Sequence, residues 1–345
     1  MIKQPNITLA AIASSYVHSA LAPWCLKAGV KAYAQTTCQV RVVEGTVNET
    51  IDQVAQRLIQ DNPHLIGISC YIWNISFVEK LLPLLRQVLP HCVLVLGGPE
   101  VSPLPEDTLA RCKEADYVLC GEGEKSFALL VDALAGIGNP ETVPGLCFRQ
   151  GDKFQANPPS QQDEMSPSPY DDDYFAQLNN RIAYLETSRG CPFHCAFCLS
   201  GKGERVRYTS LERAKSEMVA LAQSGTQTVK LVDRTFNADA NRARELFRFV
   251  IEQQGKGIPR GVCFHFEIGG DLLDESTLAL LATAPVGCIQ LEIGIQSLNE
   301  ETLRSVRRFT PVNALLEKLR RVIAPDNVHV HVDLIAGLPQ EGLSS

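Results

Sequence analysis

Short runs of uninterrupted apolar residues alternate with helix-patterned stretches along this chain, in two successive series. In the first series the apolar runs fall at Ile7–Ala13, Val40–Val43, Leu65–Cys70, Cys92–Leu96 and Tyr117–Cys120. The stretches Ser19–Ala34, Glu49–Gln60, Ile75–Val88, Glu106–Cys112 and Glu124–Ala135 follow them with helical patterning. Segments such as VLVLGG and LIGISC show no polar alternation, which suits parallel strands covered by helices on both faces. Five such strands predict an α/β fold, a doubly wound Rossmann-like domain over residues 1–135. Ligands of these sheets bind beyond the carboxyl ends of the strands. Those ends carry Ser14 and Ser15, Ser69-Cys70-Tyr71, Gly97-Gly98-Pro99-Glu100 and Gly121-Glu122-Gly123-Glu124.

From residue 136 to 180 the pattern dissolves into Pro- and Ser-containing sequence with the acidic run Asp171–Asp173. This stretch reads as an interdomain linker in which Gly145–Arg149 could form a small strand. The second series spans residues 181–345. Its strand-like segments are Ile182–Thr187, Thr228–Val232, Val262–Ile268, Gly287–Ile293 and Val328–Ile335, with helical patterns at Leu211–Ser224, Arg242–Gln253, Asp274–Ala282 and Val312–Val322. Repeated strand-then-helix units predict a barrel or partial barrel with its site at the carboxyl ends of the strands.

A chain of 345 residues is long enough for two such domains. Its formal net charge of −7 argues against a broad basic surface for nucleic acid. The N-terminal stretch reads as a first strand, not a signal peptide, and no apolar run approaches the ~20 residues that span a bilayer. The expected location is therefore the cytoplasm, with no membrane partner, and the twelve cysteines are expected to stay reduced or to bind metal. Cys38, Cys70, Cys92, Cys120, Cys263 and Cys288 lie in or beside apolar runs, where cysteine acts as a small hydrophobe.

Three cysteines do not fit that description. Cys191-Pro-Phe-His-Cys195-Ala-Phe-Cys198 follows directly on the strand Ile182–Thr187 through Ser188-Arg189-Gly190. Gly190 and Pro192 oppose continued regular structure, so the thiolates are expected to converge from a tight loop. Three soft ligands without a fourth cysteine nearby suit an iron–sulfur cluster with one iron left open. A structural zinc site that takes His194 or a distant group as fourth donor is the alternative.

The CxxxCxxC loop, the aromatic Phe197 before its last cysteine and the following (β/α) pattern resemble the radical S-adenosylmethionine (SAM) superfamily. The resemblance covers most of residues 182–345 and implies a partial (β/α)6 barrel. It also implies a [4Fe-4S] cluster on Cys191, Cys195 and Cys198, whose open iron chelates SAM and whose electron cleaves it to a 5′-deoxyadenosyl radical. The residues it places near SAM are Phe197, Asp233, Thr235, Glu267, Gly294 and Gln296. Asp233 and Thr235 stand where the family commonly has Gly-Gly-Glu, a departure from its pattern. A small electron donor such as a flavodoxin or ferredoxin is implied as partner. Family members continue beyond a sixth strand, so the chain is expected to be truncated after Asp333–Pro339.

A doubly wound domain before such a core resembles the cobalamin-binding group of the superfamily. Ser69, Tyr71, Gly97, Gly98, Glu100, Gly121 and Glu122 are the positions it implies around cobalamin. The Asp-x-His-x-x-Gly signature is missing: Tyr16 and Leu21 occupy its first and last positions about His18. No protein histidine is therefore expected on the lower face of cobalt. The implied function is SAM cleavage, cobalamin-dependent, with methyl transfer or radical rearrangement on an unknown substrate. A non-catalytic iron–sulfur carrier or redox sensor, or a zinc-stabilised scaffold, is the second reading.

Overall fold

A computed structural model describes residues 4–200 and 205–342. The remaining positions lie outside the description, including the last three of the stretch covered by the family resemblance. The chain divides into two compact units, Met1–Gln177 and Leu178–Ser345.

The first unit is a seven-stranded sheet. Its strands are β1 (Asn6–Ala13), β2 (Gln39–Thr46), β3 (Leu65–Ser69), β4 (Val93–Gly97), β5 (Tyr117–Leu119), β6 (Leu146–Gln150) and β7 (Lys153–Ala156). They lie in the order β2-β1-β3-β4-β5-β6-β7. The first five are parallel. Helices α1 (Ala22–Tyr33), α2 (Ile51–Ile59), α3 (Ile75–Val88), α4 (Pro105–Arg111) and α5 (Gly123–Leu134) connect and flank them, and α6 (Asp172–Leu178) follows the hairpin. Strand β3 is buried at every position, as its unbroken apolar sequence requires. The order reverses between β1 and β3, which opens a crevice at their carboxyl ends.

Residues 136–180 are more than a linker. β5 pairs antiparallel with β6, and β6 with β7, so a hairpin from this stretch completes the sheet. β7 is an edge strand with no fully buried residue, so the pattern that reveals the central strands is absent there. Further along, Lys27 binds Asp171 and Asp173 at 2.9 and 2.5 Å, and Tyr174 packs edge-on against Trp24 at 5.5 Å. The acidic run thus anchors α6 on the first unit.

The second unit contains β8 (Ala183–Leu185), β9 (Ser188–Arg189), β10 (Arg207–Tyr208), α7 (Leu211–Gln223), β11 (Thr228–Leu231), α8 (Ala240–Gln253), β12 (Cys263–Ile268), α9 (Glu275–Leu281), β13 (Ile289–Gln296), α10 (Glu300–Ser305), α11 (Val312–Ile323) and β14 (His329–Leu334). Five parallel strands, β8, β11, β12, β13 and β14, pair strictly in chain order. This is the winding of an open barrel. β12 and β13 alternate buried and half-buried residues. Phe264, Phe266, Ile289, Leu291 and Ile293 form the covered face with the helices. Phe266 lies between Phe236 and Phe247 at ring distances of 4.6 and 4.8 Å. The opposite face carries Tyr184, Lys230, His265, Glu267, Gln290, Glu292 and Gln296, a polar surface unlike a packed barrel interior.

Candidate cofactor sites

The cysteine loop leaves the sheet through β9. Gly190 has φ +101°, and a Cβ there would lie 2.7 Å from the Arg205 carbonyl oxygen, so only glycine fits. Downstream, the Ala196 N–H donates to the Val306 carbonyl at 2.9 Å and the Cys198 N–H to that of Cys195 at 3.1 Å. Cys191 and Cys195 are buried and Cys198 is exposed. Among the described residues no three His, Cys, Asp or Glu side chains are grouped as a ready-made site for a metal ion. The three cysteines nevertheless share one short loop, and their soft donors suit iron with sulfide. His194, the candidate fourth donor for zinc, is exposed. Elsewhere, burial pushes the Cys70 and Cys92 thiols up to about 12, and those of Cys147, Cys263 and Cys288 to about 11.

The loop after β11 differs from the role expected of it. Asp233 is 1% exposed. Its carboxylate accepts from the Thr187 N–H at 2.7 Å, the Thr187 hydroxyl, and the Ser188 N–H at 3.1 Å. Burial raises its pKa to about 6 against those hydrogen bonds. An enclosed carboxylate with three donors upon it is not presented to the amino group of a ligand. Thr235 is buried too, with Oγ1 3.7 Å from Cys191 Sγ. Asn237, which sequence reasoning missed, is 3% exposed and makes a reciprocal pair with the Gly269 backbone at 2.9 and 2.8 Å.

On the polar face, Lys230 Nζ lies 3.3 Å from Glu267 and 3.0 Å from Glu292, and His265 Nε2 is 2.8 Å from the latter. Burial pushes Glu267 above the usual carboxylate range. Burial acts the same way on Glu292, but Lys230 and His265 outweigh it and hold that group low. Burial also lowers the His265 pKa. Glu267 stands opposite Glu292 in register, and Gly294 is two residues further along β13. The space beside Gly294 is occupied: a Cβ would lie 2.1 Å from Gln296 Nε2, where the register shifts and Gln296 adopts φ +71°. Phe197 lies partly exposed in the cysteine loop.

In the first unit, the crevice side of β1, β3 and β4 is unusually apolar for a surface. Tyr16 is 61% exposed, Ile72 80%, Trp73 49% and Leu104 63%. The rings of Tyr71 and Trp73 stack at 4.4 Å. Such a platform suits a broad, flat ligand. Ser69 is buried at the end of β3, and Glu100 is exposed after β4. The glycines are explained within the protein. At Gly98 φ is +111° and a Cβ would strike the Cys70 carbonyl oxygen at 2.5 Å; at Gly97 it would lie 3.3 Å from that of Leu119. At Gly121 it would strike Pro159, and Glu122 is the N-cap residue of α5. Asn74, also unforeseen, is fully buried and donates to the Ile12 and Ser69 carbonyls at 2.9 and 3.0 Å. A cavity of about 330 Å³ lies near Asn6, Thr8, Gln39 and Arg41, at the amino-terminal side of β1 and β2, away from this platform.

Two family profiles account for these units: "B12 binding domain" matches residues 8–131 and "Radical SAM superfamily" matches residues 185–344. The chain belongs to the cobalamin-binding group of the radical SAM superfamily. That group's cofactors are a [4Fe-4S] cluster, SAM and cobalamin. Among relatives, an uncharacterised methyltransferase of Pyrococcus horikoshii is 30% identical over 315 residues, covering 88% of this chain and 66% of its own. The cobalamin-dependent radical SAM methyltransferase TokK of Streptomyces tokunonensis is 27% identical over 308 residues, covering 84% and 44%. Thus the chain spans less than two thirds of either relative. The radical SAM methyltransferase TsrM of Kitasatospora setae, solved with cobalamin and [4Fe-4S] cluster bound, superposes with TM-score 0.79 at 18% identity, covering 98% of this chain and 68% of its own. That likeness speaks for the radical SAM fold with its preceding cobalamin-type domain. No helix among the described residues is long and apolar enough to cross a membrane.

Proposed function

We propose that this chain bears the cofactor sites of a cobalamin-dependent radical SAM methyltransferase, with Cys191, Cys195 and Cys198 holding the [4Fe-4S] cluster. The observation that carries the reading is the pairing, in one chain, of an apolar crevice on a doubly wound sheet with a three-cysteine loop on an open barrel. When bound, these cofactors supply one-electron cleavage of SAM and a transferable methyl group on cobalt. The protein's part is to bind and to orient. Gly190 permits the sharp exit from β9, and the Ala196–Val306 bond fixes the middle of the cysteine loop. The Tyr71–Trp73 stack, Ile72 and Leu104 offer apolar contact to cobalamin. Glu267, Gly294 and Gln296 line the strands assigned to SAM, with Phe197 beside the cluster. Burial pushes Glu267 up despite Lys230, whereas Lys230 and His265 together hold Glu292 low.

The substrate is a molecule accepted against that polar face, and the electron is drawn from a flavodoxin- or ferredoxin-like donor. Reconstituted protein mixed anaerobically with SAM and dithionite tests the proposal. 5′-Deoxyadenosine and an altered electron paramagnetic resonance (EPR) signal on SAM addition are expected. An ordinary cluster indifferent to SAM would instead indicate an electron carrier, and zinc without iron a structural site.

A further inference from the structure

We infer that Asp233 is a positioning residue for the cysteine loop: its buried carboxylate fixes the exit of the strand from which that loop departs. The inference rests on the reading of Cys191, Cys195 and Cys198 as cluster ligands. Three observations support it. The carboxylate binds both successive N–H groups, of Thr187 and Ser188, and the Thr187 hydroxyl. From Ser188 only Arg189 and Gly190 remain before Cys191, so little chain is left to absorb an error in direction. The opposite side of the same exit is also held, since the Thr187 carbonyl accepts from the Thr209 N–H at 2.9 Å and from Arg242 at 3.4 Å.

Asn237, four residues on, does for β12 what Asp233 does for β8 and β9, through its reciprocal pair with Gly269. The loop after β11 therefore acts as a brace between neighbouring strand exits, through Asp233 on one side and Asn237 on the other. The side-chain oxygens of Asp233 and the amide of Asn237 are turned inward, chiefly to protein backbone. Donors so enclosed are costly to leave unpaired, which makes the carboxylate's acceptor capacity, not its charge, the property that matters.

That distinction is testable. Asp233→Asn retains an acceptor oxygen for the two N–H groups, and its amide can donate to the Thr187 hydroxyl; Asp233→Ala removes every acceptor. The full chain is reconstituted anaerobically with iron and sulfide, without SAM. Iron release to a chelator is then timed, and the EPR signal of the reduced cluster recorded. Asp233→Ala is expected to release iron about tenfold faster than wild type with a changed signal, and Asp233→Asn to behave like wild type. Asn237→Ala, equally buried but braced to the other strand, controls for general loosening and is expected to lower the melting temperature without hastening release. Wild-type rates in Asp233→Ala, Ala-like rates in Asp233→Asn, or equally fast release from Asn237→Ala would overturn the inference. Should Asp233→Ala fail to fold, Thr187→Val decides: an intermediate rate supports the brace and an unchanged one contradicts it. A wild-type chain that holds no cluster would refute the underlying reading as well.

Discussion

At the scale of single residues, buried polar side chains at strand exits organise both units. Asn74 ties the ends of β1 and β3, Asp233 the exit of β8 and β9, and Asn237 that of β12. Asp233 also has a pH signature. Its folded pKa of about 6 lies above the ordinary 3.8, so the folded state holds a proton that the unfolded chain has released. Stability should therefore fall by about 3 kcal/mol as pH rises from about 4 to about 6, and then level off. Urea denaturation across this range is expected to show that slope in wild type and a flatter profile in Asp233→Asn. Gly190→Ala forces both a positive φ and a backbone clash, at a cost of about 1–3 kcal/mol. A lower melting temperature together with less retained iron is expected; unchanged iron would show that the loop tolerates another take-off.

Elements whose burial is simple were legible from the chain. The runs read as strands at Leu65–Cys70 and Cys92–Leu96 match β3 and β4 to within a residue at each end, because both faces of those strands are covered. The hairpin β6–β7 was only half legible: Leu146 and Cys147 are buried, whereas β7 has no buried residue to mark it. The cysteine loop announced itself by spacing. The inward turn of Asp233 did not, since nothing local distinguishes a carboxylate facing ligand from one spent on backbone N–H groups across the sheet. β12 illustrates the mixed case, with Phe264, Phe266 and Ile268 at every second position signalling the covered face. Phe266→Ala empties a ring-sized volume between Phe236 and Phe247 and should lower the stability of the second unit by about 3–5 kcal/mol in chemical denaturation.

For the whole molecule, two differently wound sheets offer two kinds of site. The order reversal in the first opens a crevice with an apolar rim; the sequential winding of the second exposes a polar face with the cysteine loop at its first strand. Joined in one chain, they suit a large cobalt macrocycle and a metal cluster with SAM. The most direct test is metal content after anaerobic purification with cobalamin supplied, with iron, sulfide and cobalt measured on the same sample. Both an iron–sulfur cluster and cobalt are expected, and replacing Cys191, Cys195 and Cys198 together with Ala should remove the iron and sulfide while leaving the cobalt. Iron without cobalt, cobalt without iron, or a cluster that survives the triple replacement would contradict the proposed function.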